Sequence, residues 1–179
     1  MSSAWWLGQR CMLGLAAESQ TTTNLQRTKQ CVLNLTSDTM VAQVNALAKT
    51  TGRQDMSSFK TAAGYIYVKD KFKIAHLTPL ASEMVGPFRV LECPVHMEAE
   101  LVAVNEMNRG EEGREGFFLG IEVKILRVHA EERILRAEQQ DKVDADRWRP
   151  LITVFQHLYG LSARLQPSRL AEIGEEKYR

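Results

Sequence analysis

The stretch VHMEAELVAV, residues 95–104, alternates apolar with polar side chains, and the stretch FFLGIEVKI, residues 117–125, does the same. The apolar positions of the first stretch are Val95, Met97, Ala99, Leu101 and Ala103. Those of the second are Phe117, Leu119, Ile121, Val123 and Ile125. A period of two is typical of strands with one buried face. Because the connecting residues 108–116, NRGEEGREG, are rich in glycine and charge, the two stretches predict a long antiparallel hairpin.

Shorter elements are predicted before this hairpin. The apolar runs 11–17 and 30–36 suit buried strands, although runs of this length do not exclude helix. The intervening residues leave room for two or three helical turns. Apolar residues recur at helical spacing over residues 37–52, which predicts an amphipathic helix that is capped by Ser37 or Asp38 and ends at the final glycine.

The remaining segments give weaker signals. Residues 65–80 fit either a strand or a helix. The apolar residues expected to point inward from them are Phe72, Ile74 and Leu77. Residues 144–151, DADRWRPL, predict a short helical turn that ends before the proline. Together the elements predict a mainly β protein with a few helices, antiparallel, and built as a barrel or sandwich.

Length and composition limit the class of protein. A chain of 179 residues predicts a single domain, 1–179, whose polar residues 160–179 would form a C-terminal arm. The formal net charge is +1, so charge gives no support to nucleic-acid or anionic-membrane binding. No apolar run is long enough to span a membrane. Three separated cysteines, Cys11, Cys31 and Cys93, lie in apolar segments, which predicts free thiols in a cytoplasmic protein.

The histidines give no strong catalytic signal. His96 and Glu98 share the polar face of their predicted strand and could bind metal or exchange protons. No other histidine or cysteine has metal-ligand spacing to His96, so a solvated strand face is the favoured interpretation. No residue at a characteristic spacing suggests a catalytic or metal-binding partner for His129, which is expected to be structural or exposed. The sequence also lacks the glycine patterns of P-loops, dinucleotide-binding turns and nucleophile elbows.

A cluster of hydroxyls marks the junction ESQTTTNLQRT, residues 18–28. One hydroxyl at the N-cap is enough to start a helix. The additional hydroxyls, followed by the cation of Arg27, suit an anion held at a helix N-terminus. Both interpretations, capping and a bound phosphate, stay open. Similarly, the SSAWW stretch near the start could line a planar aromatic ligand or close a core.

The order of these features resembles the flavin reductase-like family, whose domain is an FMN-binding split β-barrel. The pieces that carry the resemblance are MSSAWW (1–6), residues 11–37, DKFKIAHLTPLAS (70–82), residues 86–102, residues 117–135 and residues 143–165. They cover most of the chain up to about residue 165. The resemblance rests on the order and spacing of these pieces.

The resemblance implies a flavin site. Ser2, Ser3 and Ala4 would lie along the isoalloxazine ring and ribityl chain. The ribityl phosphate would be bound by Glu18, Ser19, Gln20, Thr21, Thr22, Thr23 and Asn24, with help from Arg27. The resemblance further implies a homodimer with FMN near the interface, and transfer of hydride from NADH or NADPH to the flavin. No catalytic residue of the protein is expected, because the cofactor supplies the chemistry.

Alternatives to this function remain. The chain could be a flavin-binding redox carrier without a pyridine nucleotide site, or a degenerate split barrel that binds a partner without flavin. Family members usually carry two strands before the segment that matches MSSAWW, and this chain begins there. We therefore expect further residues upstream, a shortened chain, or a barrel that is completed differently.

Overall fold

The computed structural model describes residues 3–174. Within this range the strands are β1 (Ser3–Leu7), β2 (Arg10–Ala16), β3 (Gln30–Leu35), β4 (Thr50–Thr51), β5 (Ile66–Tyr67), β6 (Pro79–Leu80), β7 (Arg89–Val90), β8 (Val95–Glu106), β9 (Phe118–Ala130), β10 (Leu135–Arg136), β11 (Gln139–Val143), β12 (Ile152–Val154) and β13 (His157–Tyr159). The α-helices in the same range are α1 (Gln20–Thr28), α2 (Val41–Ala46), α3 (Ser58–Ala62) and α4 (Lys71–Ile74). Short 3-10 turns lie at Asp38–Met40, Glu132–Ile134 and Arg169–Glu172.

One five-stranded sheet, in the order β1-β2-β9-β8-β3, forms the centre of the molecule. All of its neighbouring strands are antiparallel. The predicted hairpin is confirmed as β8 and β9, which have 12 and 13 residues. Two register shifts interrupt this pair, between Glu98 and Ala99 and between Leu101 and Ala103. Such bulges increase local twist, and the sheet curls into an antiparallel half-barrel, which confirms the mainly β fold class.

The hydrophobic core lies against one face of this curled sheet. Its buried members are Cys11, Leu13, Leu15, Leu25, Ala99, Ile121 and Val123. The alternation of the hairpin correctly predicted this face, because Ile121 and Val123 from β9 and Ala99 from β8 have no exposed surface. Leu25 comes from α1, so the core also holds this helix against the sheet.

The predicted strand–helix–strand unit is confirmed as β2, α1 and β3. Helix α1 ends at Thr28, and its C-cap is Lys29, which has a left-handed backbone (φ 60°) and donates its N–H to the carbonyl oxygen of Leu25 at 2.9 Å. The chain enters β3 at the next residue. This unit places the start of α1 next to the end of β2.

The predicted helix over residues 37–52 begins as expected but is shorter. The Ser37 hydroxyl accepts a hydrogen bond from the Thr39 N–H at 3.3 Å, and a 3-10 turn leads into α2. The helix stops at Ala46 because residues 50–51 are used in a parallel pair with β5. Of the apolar residues at helical spacing, Met40 is fully buried whereas Val41 is 43% exposed.

The segments with weak signals form short pieces. Residues 65–80 contain both strand and helix, as β5, α4 and β6. Of the apolar residues expected to point inward, Phe72 and Leu77 are half-buried, whereas Ile74 is 38% exposed. The turn predicted before Pro150 is present.

The C-terminal residues 160–174 are exposed throughout, and the last part of the expected arm, 175–179, lies outside the described residues. Within residues 3–174, no helix is long and apolar enough to cross a membrane.

Candidate functional site

A large open cleft lies at the junction of β2 and α1 and has a volume of about 1310 Å³. One wall is formed by the end of β2 (residues 14–16), the start of β9 at Phe118 and the first turns of α1. The rest of the lining comes from residues between β4 and α4 and is called the facing wall below. Concave clefts are the usual location of small-molecule ligands.

The start of α1 uses most of its hydroxyls internally. The Ser19 side chain is the N-cap and accepts a hydrogen bond from the Thr22 N–H at 3.1 Å. The Thr22 hydroxyl, which is fully buried, donates to the Ala16 carbonyl oxygen at 2.8 Å. Since this uses its only proton, the 2.8 Å contact between the two hydroxyls is a bond donated by Ser19. The Thr23 hydroxyl donates to the Ser19 carbonyl oxygen at 3.3 Å. Ser19, Thr22 and Thr23 therefore stabilise the strand-to-helix turn.

Other groups at the same helix start face the cleft. Gln20, Thr21 and Asn24 line it together with Ser19. The Gln20 amide donates to the Asn24 side-chain oxygen at 2.9 Å, which leaves the Asn24 amide nitrogen free to donate. Within residues 3–174, the Thr21 hydroxyl and the N–H groups of Gln20 and Thr21 make no hydrogen bond. These groups remain available to an acceptor in the cleft.

The expected ring-binding segment lies at the edge of the sheet. Ser2 is outside the described residues, whereas Ser3 and Ala4 belong to β1. Ser3 is the register partner of Gly14, a residue that lines the cleft, and Gly14 pairs in turn with Gly120 of β9. Gly120 is buried, whereas Gly14 is exposed in the cleft, and its lack of a side chain lets a flat ligand come close to the backbone there.

The facing wall is held to the start of α1 by Glu18. Its carbonyl oxygen accepts a hydrogen bond from the Arg53 guanidinium at 2.9 Å. Its carboxylate accepts one from the Ser57 hydroxyl at 3.3 Å and lies 3.0 Å from the Lys60 ammonium. Hydrogen bonding and charge attraction from Lys60 lower the pKa of Glu18. Glu18 thus contacts the facing wall and does not line the cleft.

The cations of the cleft come from the facing wall. Lys60, Lys69 and Lys71 line it, together with the aromatic side chains of Tyr65 and Tyr67. Arg27, the cation predicted from the sequence, is exposed in the last turn of α1 and does not line the cleft. Sequence reasoning missed the three lysines because it left residues 52–87 without a defined structure.

A second polar cluster corrects the expectation for His96 and Glu98. Both were predicted on a solvated face, but His96 is 6% exposed and Glu98 is fully buried. The Glu98 carboxylate accepts hydrogen bonds from the Glu83 N–H at 3.0 Å, the Met84 N–H at 2.6 Å and the His129 Nε2–H at 2.7 Å. The prediction failed because residues 81–90 cover this end of the hairpin.

The chemistry of this cluster is structural. Burial raises the pKa of Glu98, but the hydrogen bonds from the Glu83 and Met84 backbone and from His129 outweigh burial and lower the pKa to about 2. His96 donates through Nε2 to the Val90 carbonyl oxygen at 2.7 Å, and its Nδ1 has no partner in the described part of the chain. Burial lowers the pKa of His96. Among residues 3–174, no group of three or more potential ligands could hold a metal ion.

Comparisons with known proteins agree with the fold. The Flavin reductase like domain matches residues 9–135. The chain is 35% identical over 161 residues to the protein YdfE of Bacillus subtilis (strain 168). The aligned region covers 90% of this chain and 74% of that protein.

Two solved structures are similar in fold. The flavoredoxin of Methanosarcina acetivorans has a TM-score of 0.71 at 14% identity. The match covers 98% of this chain and 81% of the flavoredoxin chain. The putative flavin reductase with split barrel domain from Shewanella frigidimarina NCIMB 400 has a TM-score of 0.66 at 15% identity. The match covers 93% of this chain and 76% of that protein. These likenesses confirm the split-barrel fold predicted from the sequence. With most of its length matched by the domain, this chain belongs to the flavin reductase-like family.

Proposed function

We propose that this protein is an FMN-binding flavoprotein that acts as an NAD(P)H-dependent oxidoreductase. The family assignment supports a flavin-related redox function. The observation that carries the proposal is that unused donors of α1, the exposed Gly14 of β2 and a basic, aromatic facing wall line the same cleft. These are the features needed to bind a molecule with an anionic end and a flat aromatic end.

The phosphate end of FMN is proposed at the start of α1. The free N–H groups of the first helical turn, the Thr21 hydroxyl and the Asn24 amide would donate to it. Ser19, Thr22 and Thr23 would support these groups by fixing the turn. Glu18 would act indirectly, through its contact with Lys60 at 3.0 Å.

Arg27 would act on the phosphate over a longer distance. Arg27 lies six positions after Thr21, which is about 9 Å along a helix. This is close to the distance over which physiological salt screens charges.

The ring end is proposed along the sheet. Ser2, Ser3 and Ala4 would lie beside the isoalloxazine ring and ribityl chain, with Ser3 in register with Gly14. The absence of side chains at Gly14 would allow a planar ring to lie close to the backbone. Phe118 and Tyr67, which also line the cleft, would provide apolar contacts.

The separate roles of the cofactor and the protein follow from this arrangement. Bound flavin supplies the capacity to accept hydride from NADH or NADPH and to pass electrons on. The residues of the chain bind and orient the cofactor, and the 1310 Å³ cleft exceeds the usual range of about 300–1000 Å³ for one small ligand. The cleft therefore leaves room for a second molecule beside the flavin.

We further propose that the protein works as a cytoplasmic homodimer. The sheet carries large apolar side chains that are open to solvent, such as Leu7 at 72% and Trp5 at 62% exposure. Exposed apolar patches of this kind are typical of association surfaces. Light scattering coupled to gel filtration should give the mass of two chains, and a single-chain mass would contradict this part of the proposal.

The oxidation of NADH and NADPH, followed by absorbance with and without added FMN, tests the catalytic part of the proposal. We expect oxidation that needs both the protein and FMN, with heat-treated protein as control. A protein that binds FMN but does not accelerate oxidation would instead be the redox carrier considered above. Parallel assays with FAD decide which flavin is used.

A further inference from the structure

One segment beside the cleft, residues 52–64, has little apolar anchorage. None of its residues is buried, and Phe59, its largest apolar side chain, is 73% exposed. Helix α3, which lies inside the segment, buries no side chain. Because burial of apolar surface is the main force that fixes a segment in place, the hydrophobic core does not hold the 52–64 segment.

Polar contacts hold this segment instead, and they converge on one residue. The Arg53 guanidinium donates to the Glu18 carbonyl oxygen at 2.9 Å. The Glu18 carboxylate accepts a hydrogen bond from the Ser57 hydroxyl at 3.3 Å and lies 3.0 Å from the Lys60 ammonium. Among the described residues, every hydrogen bond and ion pair that joins the 52–64 segment to a distant part of the chain ends on Glu18.

Glycines mark both ends of the segment. Gly64 has a left-handed backbone (φ 75°), and nothing lies within 4 Å of the position that a Cβ would take there. Gly52 packs against α1, because a Cβ at this position would lie 3.2 Å from the Gln20 side chain. Hinges are a few positions at the ends of elements, often small residues, that absorb the change in backbone angles. The two glycines therefore suit a segment that moves while its ends stay attached.

Movement of the segment would change the cleft. Gly52 and Lys60 belong to the lining of the cleft, whereas Glu18 does not. The ion pair that holds the segment is partly solvated, because the Glu18 side chain is 49% exposed and the Lys60 side chain is 15% exposed. Pairs of this kind contribute little and are weakened by salt, so this contact can break and form again.

We propose that residues 52–64 are a lid of the cleft and that Glu18 is the latch that holds this lid closed. Opening of the lid sets the rate at which a ligand enters and leaves the cleft. Glu18 is thus a positioning residue, which acts through the side chains of the lid. The effect on flavin exchange rests on the proposed function, whereas the movement of the lid does not.

The test measures hydrogen exchange of the backbone amides by mass spectrometry, from milliseconds to minutes, in the protein without ligand. Glu18→Gln removes the charge and keeps the size of the side chain. The double variant Glu18→Lys with Lys60→Glu restores an ion pair with the charges exchanged. Glu122→Gln is the matched control, because it removes the surface ion pair with Arg10 at 3.1 Å, which is outside the lid and the cleft lining.

We expect Glu18→Gln to accelerate exchange ~2- to 5-fold, and only within residues 52–64. The double variant should return the exchange rate to that of the unaltered protein, and Glu122→Gln should not change it. Added KCl should accelerate exchange of the lid in the unaltered protein and have less effect in Glu18→Gln, where the ion pair is absent.

Stopped-flow fluorescence of FMN release tests the consequence for the ligand. Release from Glu18→Gln should be ~2- to 5-fold faster than from the unaltered protein, and the double variant should reverse the change. Circular dichroism and thermal melting establish that each variant is folded.

Three results would overturn the inference while leaving the proposed function intact. The first is unchanged lid exchange in folded Glu18→Gln, and the second is faster exchange spread over the whole chain, which indicates general destabilisation. The third is FMN release that stays the same although the lid exchanges faster. If the unaltered protein binds no flavin, the proposed function fails, and the exchange data still decide whether Glu18 holds the lid.

Discussion

Replacing Glu98 by glutamine perturbs the most enclosed charge in the described structure. Both carboxylate oxygens accept hydrogen bonds, and the donors are the N–H groups of Glu83 and Met84 and the imidazole of His129. A glutamine amide can accept at one end only. Whichever way it is turned, its NH2 group faces at least one of these donors, so a hydrogen bond is lost and two donors oppose each other.

The size of the effect follows from the pKa of Glu98, which is lowered from 4.5 to about 2. At 1.36 kcal/mol per pKa unit, the charged form contributes about 3 kcal/mol to folding at neutral pH. Because the pKa is lower in the folded state, this contribution is complete above pH 4.5 and is lost as the pH falls towards 2.

Urea unfolding of the unaltered protein and of Glu98→Gln, measured from pH 7 to pH 3, tests this reasoning. We expect the variant to be less stable by about 3 kcal/mol at pH 7, and the difference to shrink by roughly 2 kcal/mol at pH 3. Glu100→Gln is the control, because its carboxylate is 47% exposed and lies 3.9 Å from Lys124. This control should change stability by less than about 0.5 kcal/mol. A Glu98→Gln difference that does not depend on pH would refute the role of the buried charge.

Four further substitutions test the core and helix α1. Ile121→Ala removes a fully buried side chain, and we expect a loss of about 2–5 kcal/mol in urea unfolding; a loss below 1 kcal/mol would argue against the core described above. Thr22→Val should cost about 1–3 kcal/mol by removing two buried hydrogen bonds, whereas Thr21→Val should leave stability unchanged and weaken FMN binding. Arg27→Ala should weaken FMN binding more than riboflavin binding, and the effect should fade at high salt; equal losses for both flavins would contradict a phosphate role.

The sequence predicted the parts of the fold that depend on local patterns. The alternation over β8 and β9 identified the hairpin and its core face, because side-chain direction in a strand repeats every two residues. The hydroxyl cluster marked the start of α1, because capping is a local interaction. The order of these elements along the chain indicated the family.

The sequence did not reveal features that depend on contacts between distant segments. Glu98 seemed solvated because nothing in the sequence shows that residues 81–90 cover it. His129 seemed unpartnered because its partner, Glu98, lies 31 positions earlier in the chain, across the hairpin. Lys71 was missed as a cleft residue for a similar reason, since only the folded chain brings α4 and the start of α1 to one cleft.

The central claim is that the cleft binds a flavin mononucleotide, and the most direct test is an equilibrium titration of FMN with the purified protein. Flavin fluorescence and the visible absorption spectrum would be recorded together. The account predicts saturable quenching and a shifted flavin band at one FMN per chain, with weaker binding of riboflavin. FMN whose spectrum and fluorescence are unchanged at saturating protein would contradict it.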